Sequence, residues 1–495
     1  MTQNPATIPA NQANGASGAS EDESVKYGLL LGCVLFGLFL WFLPTPQGLS
    51  TTGWHLLTLF ITTIVTVVVK PMPVGTIALV ALTLTIVTKT LTPAAALKGF
   101  SDDVIWLVVL ALFIAKGFSV TGLGNRLAYY FTKLLGKKTL GLSYGLVATD
   151  LIMAPAIVSV TGRIGGIIYP IIRGIADSYE SMPFDKSARK IGAFLTVTSF
   201  QCSVVTCAMF MTAMAANPLI AGFVADRTDA YPILKEFTWT MWALAAIVPG
   251  LISLIVIPWV IYKIYPPEIK ETPMASQIAS DKLKAMGRVS LNEWIMIGTI
   301  ASLLVMWIFG KDLGIKPVTA ALVGIGALLV SKVLDWKSLV KMDSVWDTFF
   351  WFAILLMMAA NLGELGVSTW ISQSIEHSVG GMDWRLAFPG ILLFYFYSHY
   401  LFASSTAHVT SMYIPFLLVS ITLGTPPLLA VLCLTFVSNL YGGLTHYSLT
   451  PAPLLFGAGY VNIKDWWKIG FIVSVINIII WSTAGLFWWK FLGYW

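Results

Sequence analysis

Ser159-Val160-Thr161-Gly162-Arg163 and Ser404-Ser405-Thr406-Ala407-His408 repeat one pattern 245 positions apart, and a proline follows each serine eleven residues later, at Pro170 and Pro415. Both copies set a hydroxyl, a second hydroxyl and a basic side chain at matching offsets, and both lie inside long apolar regions. A charge at the centre of a bilayer costs about 2.5–3.5 kcal/mol on insertion scales, so Arg163 and His408 are expected to serve a function. A polar segment duplicated at membrane depth, one copy in each half of the chain, is the pattern of a repeat-built transporter with a substrate site near the midplane.

The rest of the chain agrees with that depth. It is 57% hydrophobic and 11% charged, with a mean hydropathy of +0.80, whereas soluble domains carry about 25% charged residues. Runs near the length of about 20 residues that a membrane helix needs fall at 27–43, 54–70, 71–92, 104–120, 191–222, 238–263, 292–310, 317–333, 346–363, 428–459 and 469–491. Two further apolar regions, about 140–176 and 386–420, are interrupted by the motif, Gly and Pro. They are expected to be re-entrant hairpins, because non-helical backbone at this depth survives only against protein or a water-filled cavity. The fold expected is therefore an all-α integral membrane protein of eleven crossings and two hairpins.

Charge sets an expected orientation. With the first 26 residues cytoplasmic and the crossings alternating, 20 of the 30 Lys and Arg fall inside, as the positive-inside rule requires. The N-terminus is then cytoplasmic and the C-terminus extracytoplasmic in a plasma (inner) membrane. The net charge of +6 is an orientation signal that calls for membrane lipid and no nucleic acid. Polar residues 1–26 lack a basic n-region and form a disordered tail. Cys33, Cys202, Cys207 and Cys433 all sit in apolar segments without metal-ligand spacing, so they are expected to be buried hydrophobes with no metal and no cofactor.

The longest polar stretch between helices, 264–291, divides the chain as a cytoplasmic connecting loop between a first membrane half, 27–263, and a second, 292–495. Within the first half the repeat unit runs from about 54 to 263, and Leu123-Gly124 and Leu365-Gly366 recur at matching places in the two halves. Five crossings per unit is an odd number, which inverts the second copy and brings the hairpin tips together from opposite faces. The long helices after the hairpins are interrupted too, by Ala216-Asn217-Pro218 in the first and by Tyr441-Gly442-Gly443 and Thr450-Pro451 in the second. Proline removes a helical hydrogen bond and glycine weakens the turn, so unwound backbone is expected beside each tip.

Hydroxyls and free N–H groups at helix N-termini suit a carboxylate, and two such tips suit two carboxylates, although phosphate or sulfate uses the same donors. Ser159, Thr161, Ser404 and Thr406 are the expected ligands. Thr206, Thr445 and His446 are possible further members of the site. Arg163 supplies a permanent charge and His408 a titratable one; a unit charge about 4 Å away contributes roughly 4 kcal/mol at an effective dielectric near 20. No acid is expected within the hairpin sequence around either cation. The alternative has Arg163 paired with a buried acid or a backbone carbonyl and His408 capping a helix. Lys116 is expected to snorkel to the interface, and His399 carries no assigned role.

At these residues the chain resembles the divalent anion/sodium symporter family, over nearly all its length apart from the polar tail. The family's sodium-coupled members carry Ser-Asn-Thr in each hairpin; here Val160 and Ser405 hold the middle positions. Gly165-Gly166-Ile167-Ile168-Tyr169-Pro170 and the stretch from Phe402 to His408 are similar to the branch of citrate/succinate and oxoglutarate/malate exchangers. That resemblance implies sodium-independent antiport of di- or tricarboxylates by alternating access, and a homodimer. It also implies a substrate site at Ser159, Val160, Thr161, Ser404, Ser405 and Thr406, with Arg163 and His408 in place of the sodium charges. The alternative is a sodium-coupled dicarboxylate symporter. An anion channel is a lesser rival. An enzyme is not expected, since the cluster Ser404 to His408 has no acid to orient a base.

Overall fold

The computed structural model describes residues 25–367, 369–370 and 383–495; the expected tail lies almost wholly outside them. Seven helices among the described residues are long and apolar enough to cross a membrane, and six shorter apolar helices accompany them. Each of the eleven apolar runs holds helix, with interruptions in 191–222 and 428–459, and the chain is an all-α, multi-pass membrane protein.

One bundle gathers α1 (Tyr27–Trp41), α2 (Thr51–Val69), α3 (Val74–Val87) and α4 (Asp103–Thr121). Much later parts of the chain complete it, as described below. Local chemistry sets where its helices start and stop: the Ser50 side chain accepts from Gly53 N at 3.0 Å and that of Asp102 from Val104 N at 2.8 Å, each meeting one of the N–H groups a helix start leaves unpaired. Gly122, at φ 75°, ends α4 in the left-handed region that glycine adopts without penalty.

The chain then runs straight into α5 (Leu123–Leu135). Gly124, Ala128 and Thr132, four apart, form the buried stripe of this amphipathic helix. A second bundle follows: α6 (Thr139–Met153), a π-helical stretch Thr161–Ile168 continued by α7 (Tyr169–Ser178), α8 (Gly192–Met209), α9 (Ala216–Ala225) and α10 (Trp239–Ile264). The expected connecting loop also proves partly helical. Within it α11 (Pro273–Met286) packs on α5, where Ser276 Oγ donates to the Lys133 carbonyl at 2.7 Å, and its Ala275 and Ala279 are buried.

α12 (Leu291–Ile308), α13 (Pro317–Val330) and α14 (Asp343–Glu364) return to the first bundle, α13 against α4 and α14 against α3 and α4. The second bundle is completed by α15 (Trp384–Ser398), α16 (Ser405–Thr422), α17 (Pro427–Leu440), α18 (Ala452–Gly457), α19 (Ile463–Ile480) and α20 (Leu486–Phe491). At its centre the fully buried α8 touches α6, α10 and α17. The apolar core follows this division, since a separate cluster of Leu56, Phe60, Ala81, Leu355 and Met358 holds α2, α3 and α14 together.

Arg126 of α5 grips the start of α12: its Nε donates to Glu293 at 2.5 Å and its Nη1 to the Gly287 carbonyl at 2.9 Å, while Ser290 and Glu293 form a capping box. The Glu293 side chain is only 2% exposed. Removing one partner of such a pair typically costs about 3–5 kcal/mol, against about 1 kcal/mol for a lost cap. Arg126→Ala should therefore lower the apparent Tm of the purified protein several-fold more than Ser290→Ala does; equal shifts would show that the cap, not the ion pair, fixes this joint.

Candidate functional site

Both hairpins end in the same local device. Ser159 Oγ accepts from Gly162 N at 3.0 Å, and Ser404 Oγ accepts from Ala407 N at 3.3 Å, so each motif serine caps the helix that follows it. Both hydroxyls keep their own proton free to donate outward. Burial divides the motifs: Ser159, Thr161, Ser404 and Thr406 are part-exposed, whereas Val160, Arg163, Ser405 and His408 are buried. Ser404 and Thr406 line a cavity of about 140 Å³ with Thr410 of α16, Lys70 at the end of α2, and Asp347 and Trp351 of α14. Ser159 and Thr161 do not line it, so the described state does not bring all four hydroxyls onto one cavity.

A larger cavity, about 930 Å³, opens between the bundles beside Trp239, Trp307 and Tyr494. It holds none of the motif residues, and its Lys316 is paired to Asp103 at 2.6 Å. Volume alone therefore does not mark the site; the smaller cavity carries the hydroxyl chemistry.

At the first tip the structure revises the expectation of an uncompensated cation. Arg163 is fully buried, and its Nε donates to Asp150 Oδ1 at 2.8 Å. Its Nη1 donates to the carbonyls of Ile157, in the tip, and Ala213, in the gap between α8 and α9, the latter at 2.7 Å. Asp150 lies thirteen positions upstream on α6, inside the same hairpin, and its second oxygen accepts from Thr206 of α8. Thr206 thus supports the ion pair. The π-helical turn has a sequence cause in Gly162, Gly165 and Gly166, and such turns often occur at functional sites. Thr212 Oγ1 adds a bond to the Pro155 carbonyl at 2.5 Å.

The second tip is tied to its helix break by hydroxyls and imidazole rings. Ser405 Oγ and His399 Nε2 both reach the Ser448 carbonyl, at 2.9 and 3.0 Å, and Tyr441 Oη donates to the Ser405 carbonyl at 3.3 Å. His408 is buried beneath Phe402 and Tyr441 and caps no helix end. Thr445 is buried in the break, where its N–H donates to Ser448 Oγ at 3.3 Å. His446 accepts from Trp467 Nε1 at 3.1 Å. Lys116 donates to the Ser338 carbonyl at 2.9 Å, on the first bundle.

The two breaks are joined to each other. Asn439 Nδ2 donates to Asn217 Oδ1 at 2.9 Å, Asn217 Nδ2 donates to the Cys207 carbonyl at 2.8 Å, and Gln201 Nε2 donates to the Gly443 carbonyl at 2.9 Å. A Cβ on Gly470 would stand 2.5 Å from that same Gly443 oxygen, so only glycine lets α19 lie this close. Sequence reasoning missed Asp150, Asn439, Gln201 and Ser448. Asp150 was open to the argument that singled out Arg163, an acid within an apolar run; the others carry no signal of their own.

Two hydroxyl motifs at helix starts, each beside an interrupted helix, lie in a multi-pass membrane protein. Residues 24–495 match the model of the sodium:sulfate symporter transmembrane region, and the chain belongs to this divalent anion/sodium symporter family. It is 50% identical over 477 residues to a candidate malate transporter of Bacillus subtilis (strain 168), covering 96% of this chain and 99% of that protein. It is 46% identical over 468 residues to chloroplastic dicarboxylate transporter 1 of Spinacia oleracea, covering 94% and 81%. With the citrate/succinate antiporter of Escherichia coli (strain K12) it shares 32% identity over 488 residues, covering 94% and 98%.

Breaking the buried pair from one side leaves a lone charge, typically at a cost of about 3–5 kcal/mol, whereas removing both charges is often near neutral. Asp150→Asn and Arg163→Met should each sharply lower the apparent Tm, and the double variant should recover part of the loss, the carbonyls of Ile157 and Ala213 that lose their donor keeping the rest. A double variant no more stable than the singles would show that Arg163 is held by its carbonyl contacts alone.

Proposed function

We propose that the protein is a secondary transporter that exchanges di- or tricarboxylates such as succinate, malate, 2-oxoglutarate or citrate, by sodium-independent antiport with alternating access. The named substrates of the relatives support the substrate class. One observation supports the sodium independence: three carbonyl oxygens beside the tips, those of Ile157, Ala213 and Ser448, are engaged by protein donors. Arg163 takes those of Ile157 and Ala213, and His399 and Ser405 take both lone pairs of Ser448. A bound cation would need such oxygens, and here nitrogen and hydroxyl donors hold them.

In this proposal Ser159, Thr161, Ser404 and Thr406 donate to the two ends of the substrate, while Val160, Ser405, Arg163, His408 and Thr206 shape the tips from behind. Thr445 and His446 act through the second break. Because Asp150 balances Arg163, recognition rests on oriented hydroxyls and helix N-terminal N–H groups more than on net charge. The same proposal includes eleven crossings with inverted repeats, a cytoplasmic N-terminus and extracytoplasmic C-terminus in the plasma (inner) membrane, and a homodimer.

Proteoliposomes test it. Labelled succinate should enter only vesicles preloaded with a dicarboxylate, at a rate unchanged when sodium is replaced by choline. Strong sodium-driven uptake into unloaded vesicles would mean symport instead. A hydrogen bond to a charged group contributes about 1.5–3 kcal/mol, so each of Ser159→Ala, Thr161→Ala, Ser404→Ala and Thr406→Ala should weaken substrate binding about tenfold or more. Native affinity in all four would place the substrate elsewhere.

A further inference from the structure

His399, without a role from sequence, lies at the end of the first arm of the second hairpin, in the short 3-10 segment His399–Leu401. Its ring stacks on Tyr441 with centroids 3.9 Å apart, and the ring of His408 lies 5.1 Å away at 11°. Both histidines are fully buried. His399 Nδ1 and His408 Nδ1 are 3.0 Å apart, His399 Nε2 is 3.0 Å from the Ser448 carbonyl oxygen, and His408 Nε2 is 3.2 Å from Ser398 Oγ.

Proton accounting gives this chain a direction. A carbonyl oxygen can only accept, so His399 must carry its proton on Nε2. In a neutral ring Nδ1 is then bare, and the nitrogen facing it, His408 Nδ1, must hold the proton that lies between them. His408 Nε2 is then left as an acceptor, so the Ser398 hydroxyl, which also lies 2.9 Å from the Tyr395 carbonyl, turns its one proton to the ring. An imidazolium at His399 would satisfy the same distances, but among the described residues no acid is hydrogen-bonded to either ring, and an unpaired buried charge is costly.

We propose that His399 is the positioning residue of the second tip: through the Ser448 carbonyl it fixes the tautomer of His408 and joins the hairpin arm, the tip helix and the helix break into one body. His408 then presents no N–H to the cavity, and carboxylate contact at this tip belongs to Ser404 and Thr406. The effect on transport rests on the exchange function proposed above, but the tautomers do not.

The test uses the full chain in nanodiscs with 15N-labelled histidine rings, assigned with His399→Gln and His408→Gln. The expected spectrum has His399 protonated on Nε2 and His408 on Nδ1; a bare Nδ1 with a protonated Nε2 at His408 would overturn the proposal, whatever the transport activity. His399→Phe retains an aromatic ring to stack on Tyr441 but can neither accept nor donate. It should lose the Nδ1–H form of His408 and slow exchange about tenfold, the effect of one hydrogen bond. His399→Gln, whose amide keeps one acceptor and one donor, should retain more exchange. Native exchange in His399→Phe would also overturn it. If His399→Phe fails to fold, the spectrum of the native protein decides.

Discussion

A helix that stops inside hydrocarbon leaves backbone groups that water cannot reach, and each unpaired group costs several kcal/mol. Four interruptions lie in the second bundle, around the two motifs and in the two helix breaks. Their carbonyls are satisfied by side chains from the neighbouring ending: Arg163 spans from its own tip to Ala213, and Ser405 and His399 span from theirs to Ser448. The Asn217–Asn439 and Gln201–Gly443 bonds then couple one pair to the other. The part-exposed motif serines accept from the helices that follow them and keep a proton to donate, on a scaffold where the carbonyls of Ile157, Ala213 and Ser448 are held by protein donors.

The two tips reach the same end by different electrostatics. At the first, a full charge is buried with its counter-charge, and the guanidinium's fork is used on a carboxylate and two carbonyls at once. Arginine suits that place because its donors are planar, fixed and always charged. At the second, a chain of neutral rings and hydroxyls spans a similar gap, and its order depends on which nitrogen holds each proton. A buried ion pair is weak evidence of stability, since desolvation offsets much of the attraction. Its use here is geometric: it ties α6, the tip and the α8–α9 gap together through one side chain.

Much of the architecture was legible without coordinates. Apolar runs of membrane length become helices because lipid leaves the backbone few other options, and each motif does open a helix after a break in the chain. The amphipathic α5 and the helix inside 264–291 were not legible as such, since their stripes of Gly124, Ala128, Thr132 and Ala275, Ala279 are small residues that signal little until one helix is seen against the other. The serines of the motif also have a function that only geometry displays, capping the helix that follows while presenting a hydroxyl.

The sequence by itself determined the class of fold, the membrane setting, the duplicated hydroxyl motif and the absence of the motif asparagines, because these depend on composition, run length and residue identity. Tertiary structure alone decided what the buried cations face. Asp150 is thirteen residues from Arg163 and Ser448 is forty-nine from His399, and whether two polar groups at such separations meet depends on how helices pack. Hydrogen bonding acts over about 3 Å. An apolar run announces its environment residue by residue, whereas a partner at 3 Å is a property of the folded chain.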